Sequence, residues 1–218
     1  MTLVEAAVEA LDSALAAERA GADRVELCEN LNEGGTTPGQ GLIVATIQPM
    51  RLPVFVLIRP RTGDFVYSQR EFEDMIRDIE RAASLGIAGI VTGTLTTQGR
   101  VDVARTRALV KAASGLPVTF HRAIDSAANL PAALEEAIDS GASRVLTSGG
   151  APTALEGAEV IAALVDRAGS RISIVAGGGI REHNVRDVIA RTGVREVHAR
   201  LVGEAQIRGL VDQVKRNS

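Results

Sequence analysis

Four stretches share one cadence: AERAGADRVELC (17–28), AASLGIAGIVTG (82–93), AIDSGASRVLTSG (137–149) and IARTGVREVHA (189–199). Each passes from a helical segment through a small residue and a glycine into a short β-branched run. The glycine suits the position just past a helix end, where φ turns positive. The apolar run after it reads as a buried strand. Helix-to-strand joints repeated in this way predict a parallel sheet with crossover helices.

Extending the pattern outward predicts strands near 3–8, 24–28, 53–59, 88–93, 117–122, 143–148, 171–176 and 195–199. Amphipathic stretches rich in Ala, Leu, Glu and Arg lie between them at 11–20, 39–48, 70–85, 102–114, 130–140, 154–168, 182–191 and 204–216. Eight strands alternating with eight helices predict an α/β chain folded as one (β/α)8 barrel of the TIM type, spanning 1–218 as a single domain. An open doubly wound sheet is the competing architecture. Its first βα turn would carry a glycine fingerprint, whereas VEALDS (8–13) holds no glycine.

Composition narrows the function classes. A net charge of −3 and 2% aromatic residues with no Trp argue against a nucleic-acid partner. The single cysteine excludes an internal disulfide framework and suits a reducing cytosol. Residues 1–20 carry acids and no basic, apolar leader, so neither a signal peptide nor a membrane span is expected. No nucleotide cofactor is evident. Oligomeric state stays open, a homo-oligomer included.

Period-two alternation sorts each strand into a helix-facing and a barrel-facing side. Val25 and Leu27, Val54, Val56 and Ile58, Val118 and Phe120, and Val197 and Ala199 would face helices. Their alternates would point inward: Glu26 and Cys28, Phe55, Leu57 and Arg59, Thr119 and His121, and Glu196, His198 and Arg200. Most polar ones sit at C-terminal strand ends, where barrels of this type keep their active sites.

Each inward group has two readings. Glu26 is a general acid/base, or one half of a structural ion pair with Arg59 or a neighbour. His121, four residues before Asp125, suits proton transfer or metal ligation; otherwise it is a hydrogen-bonded core histidine. The catalytic set expected is therefore Glu26, His121 and Asp125. Cys28 and His198 would offer a soft thiolate and an imidazole to Cu(I) or Zn²⁺, or Cys28 is a small buried hydrophobe. Arg59, Arg61 and Arg122 suit a carboxylate or phosphate. Ser148 in TSGG (147–150) and Gly177, Gly178 and Gly179 in AGGG (176–179) would line anion-cradling turns. The partner expected is thus a small anionic molecule or a copper ion. Lys111 and Lys215 both fall in helical stretches, which excludes a Schiff-base mechanism inside the barrel.

Several long strings resemble the CutC family of copper homeostasis proteins. They are SALAAERAGADRVELCENLNEGGTTPGQGLI (13–43), LPVFVLIRPRTGDFVYS (52–68), LPVTFHRAID (116–125), RVLTSGG (144–150), ALEG (154–157), AGGGIRE (176–182) and TGVREVHA (192–199). The resemblance implies a TIM-type barrel, a cytosolic protein and a link to copper handling, with Cu(I) as the metal. By motif it singles out Glu26, Cys28, Asn30, Arg59, Arg61, Tyr67, His121, Arg122, Asp125, Ser148 and His198. Two departures stand out. The family commonly has a cysteine on strand 1 where this chain has Ala7, so no Cys–Cys pair spans strands 1 and 2. The family also carries a longer segment after strand 8 than HARLVGEAQIRGLV provides. Three functions follow: a copper-binding or copper-trafficking protein, an acid/base enzyme on a small anionic molecule, or a non-catalytic binding module. Fold alone does not choose among them.

Overall fold

The computed structural model describes residues 2–200 and 203–215. Eight parallel strands close in sequence order into a barrel, β8 pairing back onto β1. They are β1 (Leu3–Val8), β2 (Arg24–Leu27), β3 (Val54–Leu57), β4 (Gly89–Thr92), β5 (Val118–Phe120), β6 (Arg144–Thr147), β7 (Ser173–Gly177) and β8 (Glu196–Arg200). The helices are α1 (Leu11–Ala20), α2 (Gln40–Ile47), α3 (Gln69–Ser84), α4 (Val103–Ala112), α5 (Leu130–Asp139), α6 (Ala158–Ala168), α7 (Val185–Thr192) and α8 (Glu204–Lys215). No helix among the described residues is long and apolar enough to cross a membrane.

The repeated cadence has the expected geometry: Gly21, Gly86, Gly141 and Gly193 all adopt positive φ. Two helices start later than the sequence predicts, α6 at Ala158 rather than 154 and α7 at Val185 rather than 182. The residues ahead of them fold back on the mouth instead. Ala154 N donates to Gly178 O, and Asn184 Nδ2 donates to Gly179 O. The segment expected to be short after strand 8 includes Leu201 and Val202, which lie outside the described residues.

Strand register sorts side chains as alternation predicts. Val25, Leu27, Val54, Val56, Ile58, Val118, Phe120 and Val197 join one large core with helix residues such as Met75, Ile79, Leu109 and Leu164. Cys28, Phe55, Leu57 and Val91 form a second, smaller cluster within the barrel. Burial of the outer faces clamps the strands to the helices and fixes which residues point inward.

Beside that small cluster the barrel interior is charged. Arg24 Nε donates to Glu5 Oε2 at 2.5 Å, and its Nη2 donates to Glu196 Oε2 at 2.6 Å. Arg144 Nη1 meets the same Glu196 oxygen at 3.2 Å, and its Nη2 donates to Thr119 Oγ1 at 2.5 Å. Ser173 Oγ donates to Glu196 Oε1 at 2.7 Å. The Phe55 ring carries both guanidinium groups, Arg144 at 4.2 Å and Arg24 at 4.9 Å from its centroid. Gly89 makes room for that ring, because a Cβ there would lie 2.2 Å from Phe55 Cε2.

Gly89→Ala therefore has to displace Phe55 and with it the two arginines. A loss of about 1–3 kcal/mol is expected from overpacking. Urea unfolding would check it, and a midpoint unchanged from wild type would show that the ring has room to move.

Candidate active site at the barrel mouth

A cavity of about 320 Å³ opens at the C-terminal end of the strands. Its lining includes Glu26, Leu57, Arg59, Phe65, His121, Arg122, Asp125, Leu146 and His198. Of the twelve residues expected at the site, six therefore border this space: Glu26, Arg59, His121, Arg122, Asp125 and His198. Cys28, Arg61, Ser148 and the three glycines do not.

Glu26 reaches the interior because β2 pairs with β1 and β3, Ala7 and Phe55 flanking it. Its partner is not Arg59 but His198, whose Nδ1 lies 3.4 Å from Glu26 Oε2 and 2.8 Å from Glu5 Oε1. Burial pushes the Glu26 carboxyl up to about 7, against the pull of the His198 charge. Burial opposes ionisation of Glu5 too, but the hydrogen bond and charge of His198 and the two guanidinium groups hold it far below the carboxylate range. Burial alone would lower His198. Glu26 and Glu5 outweigh it, and the imidazole is held above its ordinary value.

His121 follows β5 and caps the short 3-10 turn Arg122–Ser126. Its Nδ1 accepts the Ala123 N–H at 3.2 Å, which leaves the ring proton on Nε2. Burial, helped by the Arg59 charge, lowers its pKa to about 3. The imidazole is thus a neutral N–H donor rather than the proton acceptor its position suggests.

Arg59 ties two loops across the mouth. Its Nη1 donates to Gly35 O at 3.0 Å and its Nη2 to Gly63 O at 2.8 Å, with the guanidinium 4.9 Å from the Phe65 centroid. Arg61 is placed elsewhere. It donates to Glu71, to Asp64, and to the carbonyls of Thr62, Asp64 and Val66. Those bonds consume its five N–H donors, so none is left for a ligand. Arg61 organises the β3–α3 loop instead.

The glycine turn after β6 already holds an anion, and it is Asp125. That carboxylate accepts from Thr147 Oγ1 at 2.5 Å, Ser148 N at 3.0 Å, Ser148 Oγ at 3.0 Å and Gly150 N at 3.1 Å. Arg122 Nε donates to it at 2.8 Å, and Arg122 Nη2 donates to Ser148 Oγ at 2.8 Å. With so many donors on it, Asp125 positions the turn and Arg122 rather than moving protons. Gly178, at φ +101°, keeps its backbone close to Ser148 and Arg122, since a Cβ would come 3.1 Å from Ser148 Cβ and 3.4 Å from Arg122 Cζ. Gly177 likewise makes room for Leu146, and Gly179 for Thr153. These three serve close packing beside the pocket.

The ligand group around His198 does not include the Cys28 expected beside it. Cys28 is fully buried, its Sγ approaches Val8 O at 3.5 Å, and burial pushes the thiol well above its ordinary pKa. A thiol held protonated is a poor metal ligand. Among the described residues, the group that brings ligand atoms together around His198 is Glu5, Glu26 and His198. It contains no sulfur, and Arg24 and Arg144 already balance its charge. The residues present do not fit Cu(I), which prefers soft donors.

Sequence reasoning missed Glu5 and Phe65. Glu5 was within reach, because Val4, Ala6 and Val8 face the helices and leave position 5 inside. Arg24 and Arg144 sit at the same point of the repeated cadence, directly after the helix-ending turn. Phe65 lies in a loop, where alternation carries no information.

A closed parallel barrel with a polar cavity at its C-terminal face defines a TIM-type barrel with a candidate site at its mouth. The CutC family model matches residues 2–203, and the chain belongs to the CutC family. It is 50% identical over 196 residues to a family protein CutC of Xanthomonas campestris pv. campestris, covering 90% of this chain and 82% of that one. It is 46% identical to the human copper homeostasis protein cutC homolog, covering 90% and 72%. A crystal structure of CutC from Streptococcus agalactiae superposes with a TM-score of 0.86 at 36% identity, covering 91% of this chain and 98% of that one.

The Glu26 shift has a consequence for stability. A folded pKa raised above the unfolded value favours the fold below the unfolded pKa, and that advantage is lost as pH rises through the folded value. Glu26→Gln removes the group that must ionise while buried. Its melting temperature relative to wild type should therefore rise between about pH 5 and pH 8, by the equivalent of roughly 2–3 kcal/mol. A difference independent of pH would mean that Glu26 titrates normally.

Proposed function

We propose that this chain is an acid–base enzyme acting on a small anionic molecule in the barrel mouth. One observation carries the reading. Glu26 Oε2 and His121 Nε2 are buried without a hydrogen-bond partner, and both residues border the same cavity. Buried polar atoms are almost always satisfied, and the exceptions call for an explanation. A substrate that accepts from His121 and gives a proton to Glu26 would satisfy both. Glu26, held near 7, is poised to exchange a proton at neutral pH. Arg59 and Arg122 supply the positive charge for an anionic substituent. Asp125 and Ser148 hold Arg122 in place.

Binding stabilises a fold by RT ln(1 + [L]/Kd), about 2.7 kcal/mol at one hundred times Kd. Inorganic phosphate, small carboxylates and sugar phosphates screened by thermal shift should include at least one that raises the melting temperature. Arg59→Lys keeps the charge but not the fork, and should erase most of the shift. Arg61→Ala should retain it. Equal shifts in wild type and Arg59→Lys would place the anion elsewhere.

A second reading comes from the relatives' names. The human and Streptococcus relatives carry copper homeostasis in theirs, and we infer a cellular role in copper homeostasis for this chain as well. One buried free thiol suits a reducing compartment for that role. The donors argue against a Cu(I) site built on Cys28, with Ala7 on β1 in place of a second thiol. Competition against a Cu(I) chelator should accordingly give Cys28→Ser the same affinity as wild type. A marked loss in the variant would restore the thiolate site.

A further inference from the structure

The two central groups of the cavity have opposite hydrogen-bonding character. Glu26 Oε2 offers an acceptor, and the proton on His121 Nε2 offers a donor. His121 cannot take a proton at Nε2, because its other nitrogen is occupied by the Ala123 N–H. What it can do is hold an oxygen that gains negative charge. Leu57, Leu146 and Phe65 provide apolar walls that strengthen such a bond. Imine chemistry does not reach this space, since Lys111 sits on α4 and Lys215 Nζ donates to Gly21 O and Asp23. A carbonyl entering the cavity would find its activator in the His121 N–H.

We propose that the cavity takes a small α-hydroxy carbonyl compound bearing a phosphate or carboxylate and isomerises it, with Glu26 moving the carbon-bound proton and His121 Nε2–H holding the carbonyl oxygen. This rests on the acid–base reading above and names its substrate class. Glu26 carboxylate takes the proton from the hydroxyl-bearing carbon next to the carbonyl. The C–H pair becomes a C=C bond, and the carbonyl π pair moves onto the oxygen that faces His121. The protonated Glu26 then returns the proton to the former carbonyl carbon. The neighbouring hydroxyl becomes the new carbonyl as its O–H proton passes to the first oxygen. Atoms and electrons balance within the substrate, with no oxidant or reductant. The raised pKa of Glu26 makes it a stronger base than an ordinary carboxylate. His198, 3.4 Å away, favours its ionised form. A cavity of about 320 Å³ is of the right order for a phosphorylated sugar of a few carbons.

The test is solvent-proton exchange by the full chain in D₂O, followed by NMR. The probes are dihydroxyacetone phosphate, ribulose 5-phosphate, fructose 6-phosphate and hydroxypyruvate. At least one should take up deuterium on the carbon next to its carbonyl, with a rate that rises with pH through about 7 as Glu26 ionises. Glu26→Gln should lower that rate about 1,000-fold, and His121→Gln about 100-fold in kcat with KM little changed. Where Glu26→Gln does not fold, as judged by its melt, Glu26→Asp should keep the fold and lose most of the rate. Exchange that survives both Glu26 variants overturns the proposal. So does an Arg59-dependent thermal shift without exchange of any probe, which leaves anion binding at the mouth intact. A screen that gives no shift and no exchange overturns the substrate class and the acid–base reading together.

Discussion

A buried charge cluster inside the barrel is the constraint on which the rest depends. Glu5, Arg24, Arg144 and Glu196 meet across β1, β2, β6 and β8, where a barrel of this type would ordinarily stack branched apolar side chains. Removing charges from water is expensive, and such a cluster adds little net stability over an apolar filling. Breaking it is costly, however, because one lost member leaves its partner buried and uncompensated. The cluster thereby couples strands far apart in sequence. Phe55, lying against both guanidinium groups, extends it to β3, and Gly89 is the vacancy on β4 that admits the ring.

That cluster also sets the chemistry above it. Glu5 belongs to both layers: Arg24 holds one of its oxygens and His198 Nδ1 the other. His198 in turn lies against Glu26. The charge state of the mouth therefore depends on arginines outside the cavity lining. Glu26 and Glu5 show the effect of position. Both are buried carboxylates beside His198, but Glu5 has the guanidinium groups in contact and Glu26 does not, so one is held ionised and the other near 7.

The barrel and its inward residues were legible because the helix-facing side of every strand must be apolar. In RVELC that requirement assigns Val25 and Leu27 to the helices and leaves Glu26 inside. In VEAAVEA the small alanines blur the alternation, and Val4 and Val8 alone mark Glu5 as inward. Long-range pairings were not legible. Nothing local in RPRTGDF says that Arg61 spends its donors on its own loop while Arg59 faces the cavity. Likewise TSGG reads as an anion cradle, and it is one, but the anion comes from Asp125 twenty-odd residues earlier. Cys28 reads as a soft ligand only until the depth of its burial is known.

The occupied turn after β6 gives the cavity a direction. Asp125 is an anion the protein carries for itself, and it fills the backbone donors that a second one would need in that turn. Arg59, just past β3, donates its Nη1 and Nη2 hydrogen bonds to backbone carbonyls rather than to a carboxylate. On the proposed reading a charged substrate would be sorted end from end before any chemistry, its acidic tail drawn toward Arg59 and its uncharged head left to Glu26 and His198. The direction of approach would then be set by a carboxylate that never touches the reacting atoms.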